Sequence, residues 1–196
     1  MEKYNFIGTS NQFWNLVRES INEMEKINNI NIVYSKPDPS TSNEESWTNY
    51  DQKTRWNDFK IGVPLLFNYY HGLELLMKGL LQETNNLPQK NTHKLSDYYE
   101  LIKTNQHAYS VKLVDLIGQF ITESNPFNDF FLCNGGNVND FYLMLRYPTK
   151  NKDSEEYQFK EIRGRGENGL VKWIQLRENT INIKKEIVLW NTARSY

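Results

Sequence analysis

Cysteine is almost missing. Cys133 is the single one among 196 residues, which excludes an internal disulfide framework and a cysteine-based zinc site. Histidine is nearly as scarce: three residues, distributed singly, give no His-Glu-x-x-His or similar zinc-ligand spacing. No apolar run approaches the roughly 18 residues of a membrane span, and Met1-Glu-Lys-Tyr-Asn-Phe6 has no apolar stretch after its charges. A cytoplasmic protein without a membrane partner is the expectation. There is no Gly-x-Ser-x-Gly elbow and no Gly-x-Gly-x-x-Gly after a strand. Arg163-Gly-Arg-Gly166 lacks the Lys-Ser/Thr of a phosphate-cradling P-loop. The sequence therefore calls for no cofactor and no metal. A formal net charge of -1 gives no overall basic character, yet the charge is uneven: twelve basic against seventeen acidic residues in 1–143, eleven against seven in 144–196.

What the chain has is rings. Five Trp, twelve Tyr and ten Phe imply a core built on large aromatic side chains, and the length fits one domain spanning 1–196. The central stretch is Pro64 to Leu81. Its apolar residues Leu66, Tyr69, Tyr70, Leu73, Leu76, Met77, Leu80 and Leu81 recur at helical spacing, and Trp56, Phe59 and Val63 extend the stripe upstream. A helix from about Arg55 to Glu83 is expected, with Pro64 either opening a helical segment or kinking it. His71, Glu74 and Lys78 break into this stripe three and four residues apart, on one face. The trio reads either as an exposed ion pair beside a half-buried histidine, worth roughly 0.3 kcal/mol, or as a polar seam aimed at a cleft or partner.

Around that helix the expected architecture is an all-α, up-and-down bundle of five to six helices with long loops. A first helix should start after Thr9-Ser10, on the stripe Phe13, Trp14, Val17, Ile21, Met24. Residues 35–49, with two prolines and several serines and acids, read as a surface loop whose end Trp47 pins. Thr92 should cap a helix carrying His93, Leu95, Tyr98, Tyr99 and Ile102, antiparallel to the central one across a short connection. Further helices are expected from Ser110 to Glu123 and from Gly169 to Arg194, with short apolar pieces at 127–133 and 140–147. Cys133, beside Phe130, Phe131 and Leu132, reads as a small core residue. A second loop covers 149–169, and the alternation Tyr157-Gln-Phe-Lys-Glu-Ile-Arg163 suggests one strand of a small β-hairpin near 157–168.

Three stretches together carry a family resemblance. His71-Gly-Leu-Glu-Leu-Leu-Met-Lys-Gly-Leu-Leu81 resembles the signature helix of HEPN-type domains; His93-Lys-Leu95 resembles the His-x-Leu segment that opens their next helix; and Arg146-Tyr-Pro148 is similar to the Arg-Tyr-Pro of several such families. The matches come in the family's order and span about half the chain. The resemblance implies an all-α fold, a homodimer, and a bacterial toxin–antitoxin or defence setting, with RNA, a nucleotide or an antitoxin-like protein as partner. Many HEPN proteins are metal-independent ribonucleases that use an arginine followed four to six residues later by histidine. That spacing is absent here: the matching positions after Arg55 are 60–62 and after Arg146 they are 151–153. The catalytic pair does not transfer.

The expectation is therefore a non-catalytic HEPN-like protein. Glu74, Lys78, Tyr147, Lys150, Lys152, Arg163 and Arg165 are its candidate ligand-binding residues, because arginine and lysine contact phosphate and tyrosine stacks on bases. Arg146 reads alternatively as a buried structural arginine paired with an acid such as Glu74. A divergent ribonuclease using His71 or His93 with Arg146 is the alternative, and a helical protein-interaction scaffold the third.

Overall fold

The computed structural model describes residues 4–30, 42–90, 92–150, 155–163 and 167–194. The helices are α1 (Phe6–Lys26), α2 (Asn43–Thr54), α3 (Asp58–Glu83), α4 (Leu95–Thr104), α5 (Val111–Gly118), α6 (Asn128–Cys133), α7 (Phe141–Met144) and α8 (Glu167–Arg194). Short 3-10 turns sit at Gln106–Ala108, Val138–Asp140 and Phe159–Glu161. The fold is all-α; among the described residues the β-structure is one isolated antiparallel bridge, Thr149 with Glu156.

The central helix is α3, and it is bounded by asparagines. The Asn57 side chain accepts from the Lys60 N–H at 3.0 Å, a cap that starts the helix at Asp58 rather than Arg55. At the other end Asn85 takes a left-handed conformation (φ 58) and the Asn86 N–H returns to the Leu81 carbonyl at 2.8 Å. Pro64 lies inside α3. Two glycines let α1 lie close against it. A Cβ at Gly72 would sit 2.6 Å from Trp14 Nε1, and one at Gly79 would sit 2.5 Å from Ile7 Cγ1. Into this gap Ser10 Oγ donates to the Gly72 carbonyl at 2.7 Å, and Trp14 Nε1 donates to that of Tyr69 at 3.1 Å. Ser10 thus bridges two helices instead of capping one. The cap of α1 is Asn5, which accepts from Gly8 N–H at 3.0 Å, so the helix starts four residues before Ser10.

Further expectations are corrected. The loop placed at 35–49 gives way to helix from Asn43, capped by Ser42 with Glu44 and Glu45 in its first turn; residues 35–41 lie outside the described residues. Trp47 stands 68% exposed, its ring meeting Tyr50 of the same helix. Helix α4 begins at Leu95, not His93, and does not turn back along α3. His93 meets Glu74, Tyr98 meets Lys78, and Tyr109 meets Leu80 and Thr84. Numbers rise together along both segments, so the connection 84–94 makes the return and 93–109 then runs in the same sense as α3.

The hairpin near 157–168 is absent from the described part of that stretch. Asn134 takes the backbone bonds a partner strand would have taken: its Oδ1 accepts from Gln158 N–H at 2.8 Å and its Nδ2 donates to the Gln158 carbonyl at 3.4 Å. Phe159 stacks on Phe130, and Ile162 is buried. The core is one contiguous cluster running from Trp14 on α1 through Leu66–Leu81 on α3 to Trp173 and Trp190 on α8. Cys133 is not part of it: the residue is exposed, its thiol donating to the Phe130 carbonyl, with burial of the sulfur and nearby Glu161 raising its pKa.

Candidate functional site

Glu74 is the centre of the site. It faces inward from α3 and is 1% exposed. A carboxylate taken out of water needs donors around it, and two charged-capable groups supply them. Lys78 Nζ, one turn along, donates to Oε1 at 2.7 Å. His93 Nδ1, brought up by the returning connection, lies 3.2 Å from the same oxygen. Among the described residues the other oxygen, Oε2, has no hydrogen-bond partner, and His71 Nδ1, also unpartnered there, stands 3.9 Å from it. The seam of three polar residues is therefore a buried cluster joined by a fourth residue from outside the helix.

Its electrostatics follow from burial. The His71 ring lies parallel to Phe67 and edge-on to Phe13. Burial there pushes its pKa below the ordinary histidine value; Glu74 pulls the other way, while Lys78 and His93 add to the lowering. Lys78 is subject first to burial, which lowers its pKa. The hydrogen bond and charge of Glu74, together with Tyr98, outweigh that, and the ammonium is held above the usual lysine value. Lys78 thus stays an ammonium at Glu74 Oε1, while the His71 imidazole near Oε2 is driven toward its neutral form.

The outer wall is Tyr142. Its ring stacks on His93 with centroids 4.5 Å apart and planes 12° apart. The Arg146 guanidinium also lies over that ring, 4.5 Å from its centroid, and 5.3 Å from that of Tyr147. Tyr142 packs back on Phe67, which ties the wall to α3. Arg146 is exposed, and among the described residues no carboxylate pairs with it, so its expected burial against Glu74 is corrected: Lys78 and His93 already occupy that carboxylate. Sequence reasoning did not single out Tyr142. Its signal was the spacing of four to Arg146, which puts both on one side of the α7 turn.

The structure thus brings together Glu74, Lys78, His71, His93, Arg146 and Tyr147. It leaves the other candidates elsewhere. Lys150 pairs with Glu155 at 3.0 Å, and Arg163 stacks on Phe59 at 3.9 Å, beside the start of α3. Lys152 and Arg165 lie outside the described residues. Among the described residues no group of three or more His, Cys, Asp and Glu side chains is placed to hold a metal ion, and no helix is long and apolar enough to cross a membrane. Compared with known proteins, the chain matches no family model, no curated protein and no solved structure.

Proposed function

We propose that this chain is a HEPN-like cytoplasmic protein, working as a homodimer in a bacterial toxin–antitoxin or defence setting, that binds single-stranded RNA or a nucleotide at the surface formed by Arg146, Tyr142 and His93. The observation that carries this is the Arg146 guanidinium, exposed on the Tyr142 ring and without a carboxylate partner among the described residues. A guanidinium in that state presents its N–H donors to phosphate oxygens, and neighbouring Tyr147 offers a further ring face to a base. Glu74, His93 and Arg146, one from each stretch that resembles a HEPN motif, come together in one cluster, which supports the family reading.

A second reading draws on the Glu74–His93 pair. A buried carboxylate at His93 Nδ1 fixes the ring and leaves Nε2 without a partner among the described residues. In that state Nε2 can take the proton of a ribose 2′-hydroxyl as the oxygen attacks the adjacent phosphorus and the 5′-oxygen leaves, with Arg146 steadying the phosphate charge.

Incubation with cellular RNA in EDTA, read for mobility shift and for cleavage, tests both. A shift without cleavage, weakened roughly tenfold or more in Arg146→Ala and Tyr142→Ala, is the expected result. Cleavage lost in His93→Ala at unchanged melting temperature would establish the ribonuclease instead. Neither signal would overturn both and turn attention to an antitoxin-like protein partner.

A further inference from the structure

Helix α8 is apolar on two sides. Ile183, Ile187 and Trp190 face the core. On the outer side Ile181, Lys184, Lys185, Val188 and Leu189 follow the spacing i, i+3, i+4, i+7, i+8, with Val188 58% and Leu189 62% exposed. Together with Arg18 of α1 they line a surface groove of about 630 Å³. Its floor is aliphatic and its rim wholly cationic. Lys184 and Lys185 meet no carboxylate among the described residues, and Arg18 keeps one buried guanidinium nitrogen, Nη1, with no partner. An occupant that fits must bring an apolar side chain with an acid beside it.

The same chain carries such a segment. Helix α2 buries only Thr54 of its twelve residues. Trp47 projects from it, its one ring contact among the described residues being Tyr50 on the same helix. Glu44 lies one turn before Trp47 on the same face, and its carboxylate meets no cation among the described residues. A helix so little buried has no tertiary reason to persist alone. Within its own chain α2 is tied to the start of α3, where Lys60 pairs with Asp51 at 2.6 Å, and none of its residues lines the groove.

We propose that the α1–α8 groove receives α2 of a second copy of this chain, Trp47 seating on Ile181, Val188 and Leu189 while Glu44 meets the cationic rim of Lys184, Lys185 and Arg18. Made reciprocally, the contact occurs twice and closes a two-fold dimer. A large ring in an apolar pocket with charge pairing at its rim is an arrangement that concentrates binding energy in one residue. The homodimer of the reading above thereby acquires a surface, but the proposal stands apart from the ligand site, whose residues it does not use.

Sedimentation of the full chain over a concentration series, with RNA mobility shift run in parallel, tests it. The chain should dimerise, and Trp47→Ala should weaken self-association roughly thirty-fold. Lys184→Glu/Lys185→Glu and Glu44→Lys should each self-associate more weakly than the wild type, and mixing the two should restore a heterodimer. All of these side chains are exposed, so melting temperatures should hold and any RNA shift should persist. A wild-type chain that stays monomeric overturns the proposal, including one that instead sediments with vesicles of anionic lipid. So does a dimer indifferent to Trp47, or a charge-reversed pair that fails to associate.

Discussion

His71 and Glu74 face each other with one unpartnered polar atom apiece. Such an arrangement makes stability depend on acid. The unfolded imidazole titrates near the ordinary histidine value of about 6.5, and in the folded chain burial between Phe13 and Phe67 lowers that value despite Glu74. The unfolded state therefore binds more protons across this window, so the histidine's contribution is present above the unfolded value and is lost as pH falls through the folded one. Urea denaturation between about pH 7 and pH 5 should show stability falling with acid, and His71→Gln should flatten that slope. At this scale the sequence was half legible. The spacing of Glu74 and Lys78 announced their ion pair, because both sit on one helix. His93 and Arg146 carried no such mark. One arrives by a loop, and the other is drawn out to Tyr142 instead of in to Glu74, which the spacing of one helix cannot foretell.

Elements were legible where a stripe met a core and obscure where a cap decided the outcome. Leu66 through Leu81 gave α3 its existence, but its start depends on Asn57, whose Nδ2 also donates to the Ile30 carbonyl at 2.9 Å, a partner 27 residues away. Helix α2 was missed because it has no stripe to bury; serine, glutamate and asparagine favour loop and helix start alike. Its Ser42 side chain accepts from the Glu45 N–H at 3.1 Å. Replacing Ser42 by Ala should cost about 1 kcal/mol, and the loss should stay local because α2 shares so little of the core. Hydrogen exchange should quicken at the amides of 43–54 while the urea midpoint of the whole chain holds. A shifted midpoint would mean that α2 is coupled to the core after all.

Across the whole molecule, the all-α class followed from helical periodicity, while the hairpin at 157–168 did not survive the claim of Asn134 on Gln158. The feature that joins the parts is another asparagine, Asn179 of α8. Tyr69 donates its hydroxyl to Asn179 Oδ1 at 2.8 Å, and Nδ2 donates to the Leu116 carbonyl at 2.8 Å and to Gln119 Oε1 at 3.1 Å. One side chain thus ties α3, α5 and α8 in the interior. Asn179→Ala strands a buried phenol and a buried carbonyl, which costs about 2–4 kcal/mol. Here the loss should be global, read as a lower urea midpoint with an unchanged denaturant slope.

The seating of α8 also sets an order in time. Arg177 donates to Asn22 across 155 residues, and Tyr69 reaches Asn179 across 110. Contacts so far apart in the chain close the largest loops and repay their entropy last. On a ribosome, α1 and α3 emerge and pair through their glycine contacts long before α8 is translated. Until it arrives, the surface that Trp173 and Asn179 will cover, Phe127 and the Tyr69 hydroxyl among it, has no helix over it. The nascent chain passes through an interval in which its aromatic interior is open to whatever binds exposed rings, and the last long helix ends that interval.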